Sequence, residues 1–295
     1  MIPRSFEYHA PRALDEALSL LRQLGPDAKI LSGGQSLIPM MKLRLASPPA
    51  VVDINRIPDL SYVSQSDDYL RIGALARESD LEISPLIKSR YPLLSDTTVV
   101  IGDPLVRNQA TVCGNLAHGD PANDHPATML ALEATLVAVS SRGEREILIT
   151  NFFTGLFSTD LQPDEILKEI RVPVPLPLSG GAYLKLERKV GDYATAGVAV
   201  QVTLDSAGVC QRAGVGLTNV GFMPLKATQA EAFLKGRAID DAAIKQASEI
   251  AAGEAQPFDD IRGSADYKRD VVRVLTVRAL KRALERAGGQ EVSNG

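Results

Sequence analysis

Two short glycine-centred strings carry the residue types that bind a phosphate without using a fixed charge. The first is Ile30-Leu31-Ser32-Gly33-Gly34-Gln35-Ser36-Leu37, which reads as a strand breaking at two glycines and entering a helix. Glycine lets the backbone approach a ligand, a helix start offers free N–H groups to an anion, and Ser36 adds a hydroxyl. No lysine follows the glycines as in a Walker loop, and the spacing is not G-x-G-x-x-G. The second string is Thr111-Val112-Cys113-Gly114-Asn115, which runs on through His118-Gly119-Asp120-Pro121-Ala122-Asn123-Asp124-His125-Pro126. Thr and Asn side chains can bond a phosphate, and Asp124 can accept from sugar hydroxyls. Each string also has a plainer reading, the first as an αβ turn and the second as a capped helix entry.

The second string raises two other chemistries. His118, Asp120, Asp124 and His125 are metal-ligand types, but Pro121 and Pro126 stiffen the segment and no H-E-x-x-H spacing is present. No metal site is therefore expected. Cys113 would need a base to act as a nucleophile, and His118 is near in sequence; a cysteine beside a glycine more often packs as a small apolar residue. Arg107, in Ile101-Gly102-Asp103-Pro104-Leu105-Val106-Arg107, either neutralises a phosphate or caps a helix.

The elements that must position these residues can be read from spacing. Ser5 to Tyr8 reads as an edge strand, and Leu14, Leu18, Leu21 and Leu24 mark one face of a helix ended by Gly25-Pro26. Lys29–Leu31, a short helix over 37–45 and the strand 51–54 complete a β-α-β-α-β opening. A hairpin around Asp67-Asp68, helices near 79–83 and 91–98, an apolar helix over 126–134, a second hairpin at Arg142-Gly143 and a strand over 166–172 follow. The run Pro173 to Gly181 holds three prolines and two glycines and marks a boundary. Three strands, over 182–188, 198–204 and 209–217, and closing helices come after it.

The expected fold class is α+β. An N-terminal β-α-β lobe covers 1–56, a second lobe with a mixed sheet and helices 57–173, and a linker 174–180. A three-stranded antiparallel sheet with helices covers 181–287, and 288–295 form a flexible tail.

Composition narrows the class. The chain has 295 residues, with Lys+Arg 32 against Asp+Glu 36, so it lacks the basic excess of a non-specific nucleic-acid binder. It has only two cysteines, Cys113 and Cys210, too few for a disulfide scaffold or for an iron–sulfur cluster held by this chain alone. The start shows no apolar targeting segment, and no stretch approaches the ~18 apolar residues of a membrane span. A soluble protein of a reducing compartment is expected.

Taken together, the two strings resemble those of the FAD-binding medium subunits of the molybdenum hydroxylases, most closely those of the aerobic carbon monoxide dehydrogenases. The similarity runs from Phe6-Glu7-Tyr8 to Ser264-Ala265-Asp266-Tyr267-Lys268-Arg269. Its core is Gly33–Leu45, Thr111–Asn115 and His118–Pro121. The resemblance implies a bilobed FAD-binding fold in which Ile30–Leu37 and Thr111–Asn115 wrap the pyrophosphate. It places Asp124 on the ribityl or phosphate side, Ile101 and Leu167 as walls of the ring site, Lys185 near the ring's polar edge, and Tyr193 on a loop shielding it. Lys185 and Tyr193 are the residues it links to the chemistry; taken alone, one is a strand lysine and the other a turn tyrosine. Gln35 and Cys113 stand where many members have His and Gly, and Cys113 would be strained if that position needed a positive φ.

The resemblance further implies an electron-transfer subunit that receives electrons from 2Fe–2S clusters and passes them to an acceptor such as a quinone. The clusters and molybdopterin would reside on small and large partner subunits, in a dimer of heterotrimers, cytoplasmic or peripheral at the inner membrane face through the complex. The alternatives are the flavin subunit of another molybdenum hydroxylase (acting on an aldehyde, nicotine or another heterocycle), a free-standing flavin oxidoreductase, and a metal-dependent hydrolase.

Overall fold

The structure is a computed structural model that describes residues 2–66 and 68–288. Asp67 of the first expected hairpin, and 289–295 of the expected tail, lie outside the described residues.

The first lobe holds three short parallel strands, β1 (Glu7–His9), β2 (Lys29–Leu31) and β3 (Ala50–Asp53), in the order β1-β3-β2. Helix α1 (Leu14–Leu24) links β1 to β2. Its Ala17, Leu18 and Leu21 are buried in one cluster with Val52 and Ile54. Such burial contributes roughly 1.5–3 kcal/mol per leucine. Helix α2 (Leu37–Lys42) links β2 to β3 and is shorter than the expected 37–45, because Arg44 turns the chain at φ 60°.

The second lobe is built on a five-stranded sheet. Its strands are β4 (Val63–Gln65), β5 (Tyr69–Gly73), β6 (Thr135–Ser140), β7 (Gly143–Leu148) and, after a ribbon of β8 (Phe153–Gly155) and β9 (Ser158–Thr159), β10 (Ile166–Pro173). The order is β4-β5-β10-β6-β7, and every pairing is antiparallel, so the expected mixed sheet is corrected. The physical reason is that two hairpins flank β10, which leaves no parallel crossover. Six helices lie between β5 and β6: α3 (Glu78–Ile83), α4 (Pro85–Arg90), α5 (Pro92–Val99), α6 (Pro104–Arg107), α7 (Val112–Ala117) and α8 (Asp124–Ala131). All eight residues of α8 are buried.

The C-terminal sheet is a meander of β11 (Ser179–Leu186), β12 (Ala196–Leu204), β13 (Cys210–Thr218) and the two-residue β14 (Leu225–Lys226). It therefore has four strands and not three, β14 being too short to announce itself. Helices α9 (Thr228–Leu234), α10 (Asp241–Glu254) and α11 (Ala265–Ala287) share its core. The expected linker also shrinks, because Ser179 and Gly180 already belong to β11. Gly180 is needed there because α11 lies directly on it: a Cβ would stand 2.1 Å from the Ala283 carbonyl oxygen. Helices α5 and α8 of the second lobe pack on the C-terminal strands, which brings side chains of β11 to the start of α8.

Candidate functional site

Both glycine strings reach the same cleft. A cavity of about 230 Å³ is lined by Ser32, Gly33, Gln35, Ser36, Ile101, Thr111, Gly114, Asn115, Asp124 and Tyr193, all expected site residues. A larger cavity of about 770 Å³ shares Ser32, Ser36 and Gly114 with it and adds Ile30, Leu31, Gly34, Leu37, Cys113 and Leu167. The larger one falls within the ~300–1,000 Å³ usual for cofactor sites. Leu167 thus lines a different cavity from Ile101. Val112 and Lys185 line neither cavity, and both point into the protein.

The two turns touch each other. Ser32 Oγ and Thr111 Oγ1 share a hydrogen bond of 2.9 Å, and Gly33 lies against the chain at 109–111. A Cβ on Gly33 would meet Gln109 O at 2.6 Å and Thr111 N at 2.8 Å, both backbone atoms that cannot swing away. Gly34 adopts φ 73°, a conformation glycine takes without a steric cost. Among the described residues, the amides of Gly33, Gly34, Gln35 and Ser36 donate to no other group. Thr111 caps α7 by accepting from the Gly114 amide at 3.2 Å. Cys113 sits inside that helix without positive φ, so the expected strain is absent. Its thiol is fully buried; burial first, then Glu169 and Glu78, pushes its pKa far up, which removes it as a nucleophile.

The C-terminal wall is charged but internally paired. Lys185 Nζ donates to Val100 O at 2.7 Å, Asp192 O at 3.0 Å and Asp124 Oδ2 at 3.1 Å, using all three protons. Each acceptor either lines the cleft or precedes a residue that does. Tyr183, two residues earlier on the same face of β11, donates to Asp124 Oδ1 at 2.6 Å. Burial pushes the Asp124 carboxyl up, and Lys185 and the Tyr183 hydrogen bond only partly offset it. Asp192 accepts from Arg188, Arg262 and the Tyr193 amide. Desolvation alone would raise it, but these bonds outweigh that effect and hold its pKa at about 2. Tyr193, exposed at the cleft, has its phenol pushed up by burial and then by Asp120.

The possible metal ligands do not converge. Asp124 faces β11, Asp120 accepts from the Ala122 amide, and His118 packs on the Phe157 ring with centroids 5.2 Å apart. His125 turns the other way, to Glu78 at 2.7 Å. Arg107 is no phosphate ligand, since it is forked on Glu82 at 2.7 and 3.0 Å and donates to Ile101 O at 3.1 Å. It buttresses the Ile101 wall from behind. Sequence reasoning missed Gly102, Ala110, Asn123 and Asp192 as lining residues. The Gly191-Asp192-Tyr193 turn was a signal for Asp192; Ala110 left none.

Residues 4–175 match the family model described as "FAD binding domain in molybdopterin dehydrogenase", and 181–283 the one described as "CO dehydrogenase flavoprotein C-terminal domain". The chain belongs to the molybdopterin dehydrogenase flavoprotein family. It is 44% identical to a carbon monoxide dehydrogenase medium chain of Hydrogenophaga pseudoflava, over 97% of this chain and 99% of that one. A solved carbon monoxide dehydrogenase from Hydrogenophaga pseudoflava, lacking the Mo-pyranopterin moiety, contains a chain that superposes with a TM-score of 0.94. That chain is 46% identical, with 97% of this flavoprotein and 99% of its counterpart covered. A 6-hydroxypseudooxynicotine dehydrogenase complex subunit alpha of Paenarthrobacter nicotinovorans is 38% identical, with 97% of each chain covered.

The residues of this flavoprotein suit a flavin dinucleotide. A pyrophosphate needs N–H donors and close backbone approach, which the free amides at 33–36 and the side-chain-less Gly33 supply. Asn115 Oδ1 is buried at the cleft without a partner among the described residues, an acceptor placed for a ligand donor.

Proposed function

We propose that this chain is the FAD-carrying electron-transfer subunit of an aerobic carbon monoxide dehydrogenase. The observation that carries the proposal is the meeting of both glycine turns at one cleft, in a chain whose relatives by sequence and by structure bear that name. The turns at 32–36 and 111–115 hold the pyrophosphate with neutral donors. Ile101 and Tyr193 flank the ring, and Leu167 closes the neighbouring cavity. Bound FAD supplies the step between one-electron and two-electron carriers.

The protein's part is to fix the cleft and set its electrostatics. Lys185 places the Val100–Ile101 wall, Asp124 and the Tyr193 loop relative to one another and sets its charge against the Asp124 carboxyl. It acts as a positioning residue, since its three protons go to protein acceptors. Tyr193 stands at the cleft on that held loop. Among the described residues, no helix is long and apolar enough to cross a membrane.

In this proposal the electrons arrive from a small 2Fe–2S subunit, after substrate oxidation on a large molybdenum subunit, and leave to a quinone. Two cysteines on this chain support an outside source of iron. The assembly would be a cytoplasmic dimer of heterotrimers. A second reading, the flavin subunit of a heterocycle-oxidising member, draws on the 38% identity to the P. nicotinovorans subunit.

The test is purification of the native complex, assay of flavin, iron and molybdenum, and spectra before and after carbon monoxide. Flavin bleaching by carbon monoxide supports the proposal. Bleaching by an N-heterocycle alone favours the second reading, and a complex without flavin rejects both.

A further inference from the structure

Directly behind the cleft lies a buried acid–imidazole pair that the proposed function does not use. Glu78 and His125 are both 0% exposed, and His125 Nε2 stands 2.7 Å from Glu78 Oε2. The other polar atom of each, Glu78 Oε1 and His125 Nδ1, has no partner among the described residues. A buried polar pair with half its capacity unmet is a poor source of stability, since a well-packed apolar pair in its place is often neutral or better. Its position is more informative than its energy.

Each member stands beside one edge of the cleft. His125 follows Asp124, the cleft carboxylate, at the start of α8. Glu78 opens α3, and its amide donates to Ala110 O at 3.0 Å. Arg77 bridges Thr111 as an isolated antiparallel pair, and Val112 N donates to Ala76 O at 3.1 Å. The segment 76–78 is therefore the backing strip of the Thr111–Asn115 turn. The same strip reaches the first turn: Arg77 donates to Asn55 Oδ1 at 2.6 Å, and Asn55 donates to Ser32 O at 2.8 Å. Asn123, on the other side of Asp124, donates to Asn115 O at 2.8 Å. Among the described residues the start of α8 is thus tied twice to this region, by Asn123 to the turn itself and by His125 to the strip behind both turns.

We infer that His125 and Glu78 form a positioning pair that sets the distance between the Asp124 carboxylate and the two phosphate-binding turns, and so sets flavin affinity. Buried polar contacts define one geometry where apolar packing tolerates several, which is what a cleft built from backbone amides needs. The inference rests on the proposed FAD site.

The test uses the full chain with wild type, His125→Gln, and the apolar double variant Glu78→Leu/His125→Leu. Free FAD is titrated by flavin fluorescence, and melting is followed separately. The double variant should keep the wild-type melting temperature or exceed it, yet bind FAD at least tenfold more weakly. His125→Gln, whose amide can still donate to Glu78, should bind within about threefold of wild type. A double variant that binds FAD as wild type does would overturn the inference while leaving the FAD site standing. If the double variant melts lower, affinity decides through His125→Gln: retained binding in that variant supports the pair, and tenfold loss rejects the hydrogen bond as its basis. Failure of wild type to bind FAD would overturn both.

Discussion

The two walls of the cleft are built on opposite principles. The turn wall, Ser32–Ser36 with Thr111–Asn115, holds no charged side chain and presents backbone amides and small hydroxyls. The opposite wall, from the C-terminal sheet and the 188–193 loop, is dense in charge, but its charges face one another. Lys185, Asp124, Asp192, Arg188 and Arg262 are all paired inside the protein. The difference separates binding from placement. Neutral donors meet an anion without the desolvation cost of a buried cation, while the ion pairs hold the segments at fixed distances.

The largest effect that would break this contrast is on the charged wall. Lys185→Met leaves Asp124 buried beside Tyr183 without its cation and should destabilise the chain by about 3–5 kcal/mol, read from denaturant unfolding. Adding Asp124→Leu should restore part of that loss, because the Glu187 carboxylate, 3.2 Å from the same ammonium group, also loses its cation. A single-variant cost below 1 kcal/mol would mean that Lys185 behaves as a surface lysine.

On the neutral wall the effect falls on binding. Gly33→Val drives a branched side chain into Gln109 O and Thr111 N. FAD affinity should drop about a hundredfold, the equivalent of about 3 kcal/mol, measured by flavin titration. Unchanged affinity would remove the turn from the site.

A smaller effect sharpens how the turns cooperate. Thr111→Ala loses the cap of α7 and should cost about 1 kcal/mol. Because Thr111 also bonds Ser32, the Ser32→Ala and Thr111→Ala costs should fail to add by about 0.5–1 kcal/mol. Strict additivity in a double-mutant cycle would show that the 2.9 Å contact does no coupling.

The smallest effect is pH-dependent. The Asp192 carboxyl is held at about 2, below its ordinary 3.8, so its contribution is complete above the ordinary value and lost as pH falls towards 2. Hydrogen-exchange protection over 188–193, referred to the intrinsic rate at each pH, should therefore be steady down to about pH 4 and fall below it. In Asp192→Asn that acid step should vanish; its persistence would assign the step to another group.

Much of this arrangement was legible from local pattern. The leucine spacing of α1 and the break at Gly33-Gly34 predict the opening lobe, because both features are consequences of backbone geometry close in sequence. The strings 30–37 and 111–115 show phosphate-binding residue types, each beside a plainer reading as a turn or a capped helix entry. What could not be read depends on distant partners. Ser179-Gly180 looks like a linker until α11, about a hundred residues later, is seen to need glycine beneath it. Lys185 reads by itself as a strand lysine until Val100, Asp124 and Asp192 are found around its ammonium group. His125 is grouped by type with His118, Asp120 and Asp124, and only the fold shows Glu78 beside it. In each case the residue type was visible and its partner was not.

In the proposed function the cleft where the two turns meet holds one FAD. Its most direct test is to extract and count flavin from the purified native complex, beside the same complex carrying Gly33→Val. One FAD for each copy of this chain is expected in the first and almost none in the second. Equal flavin in both, or none in the native complex, would contradict it.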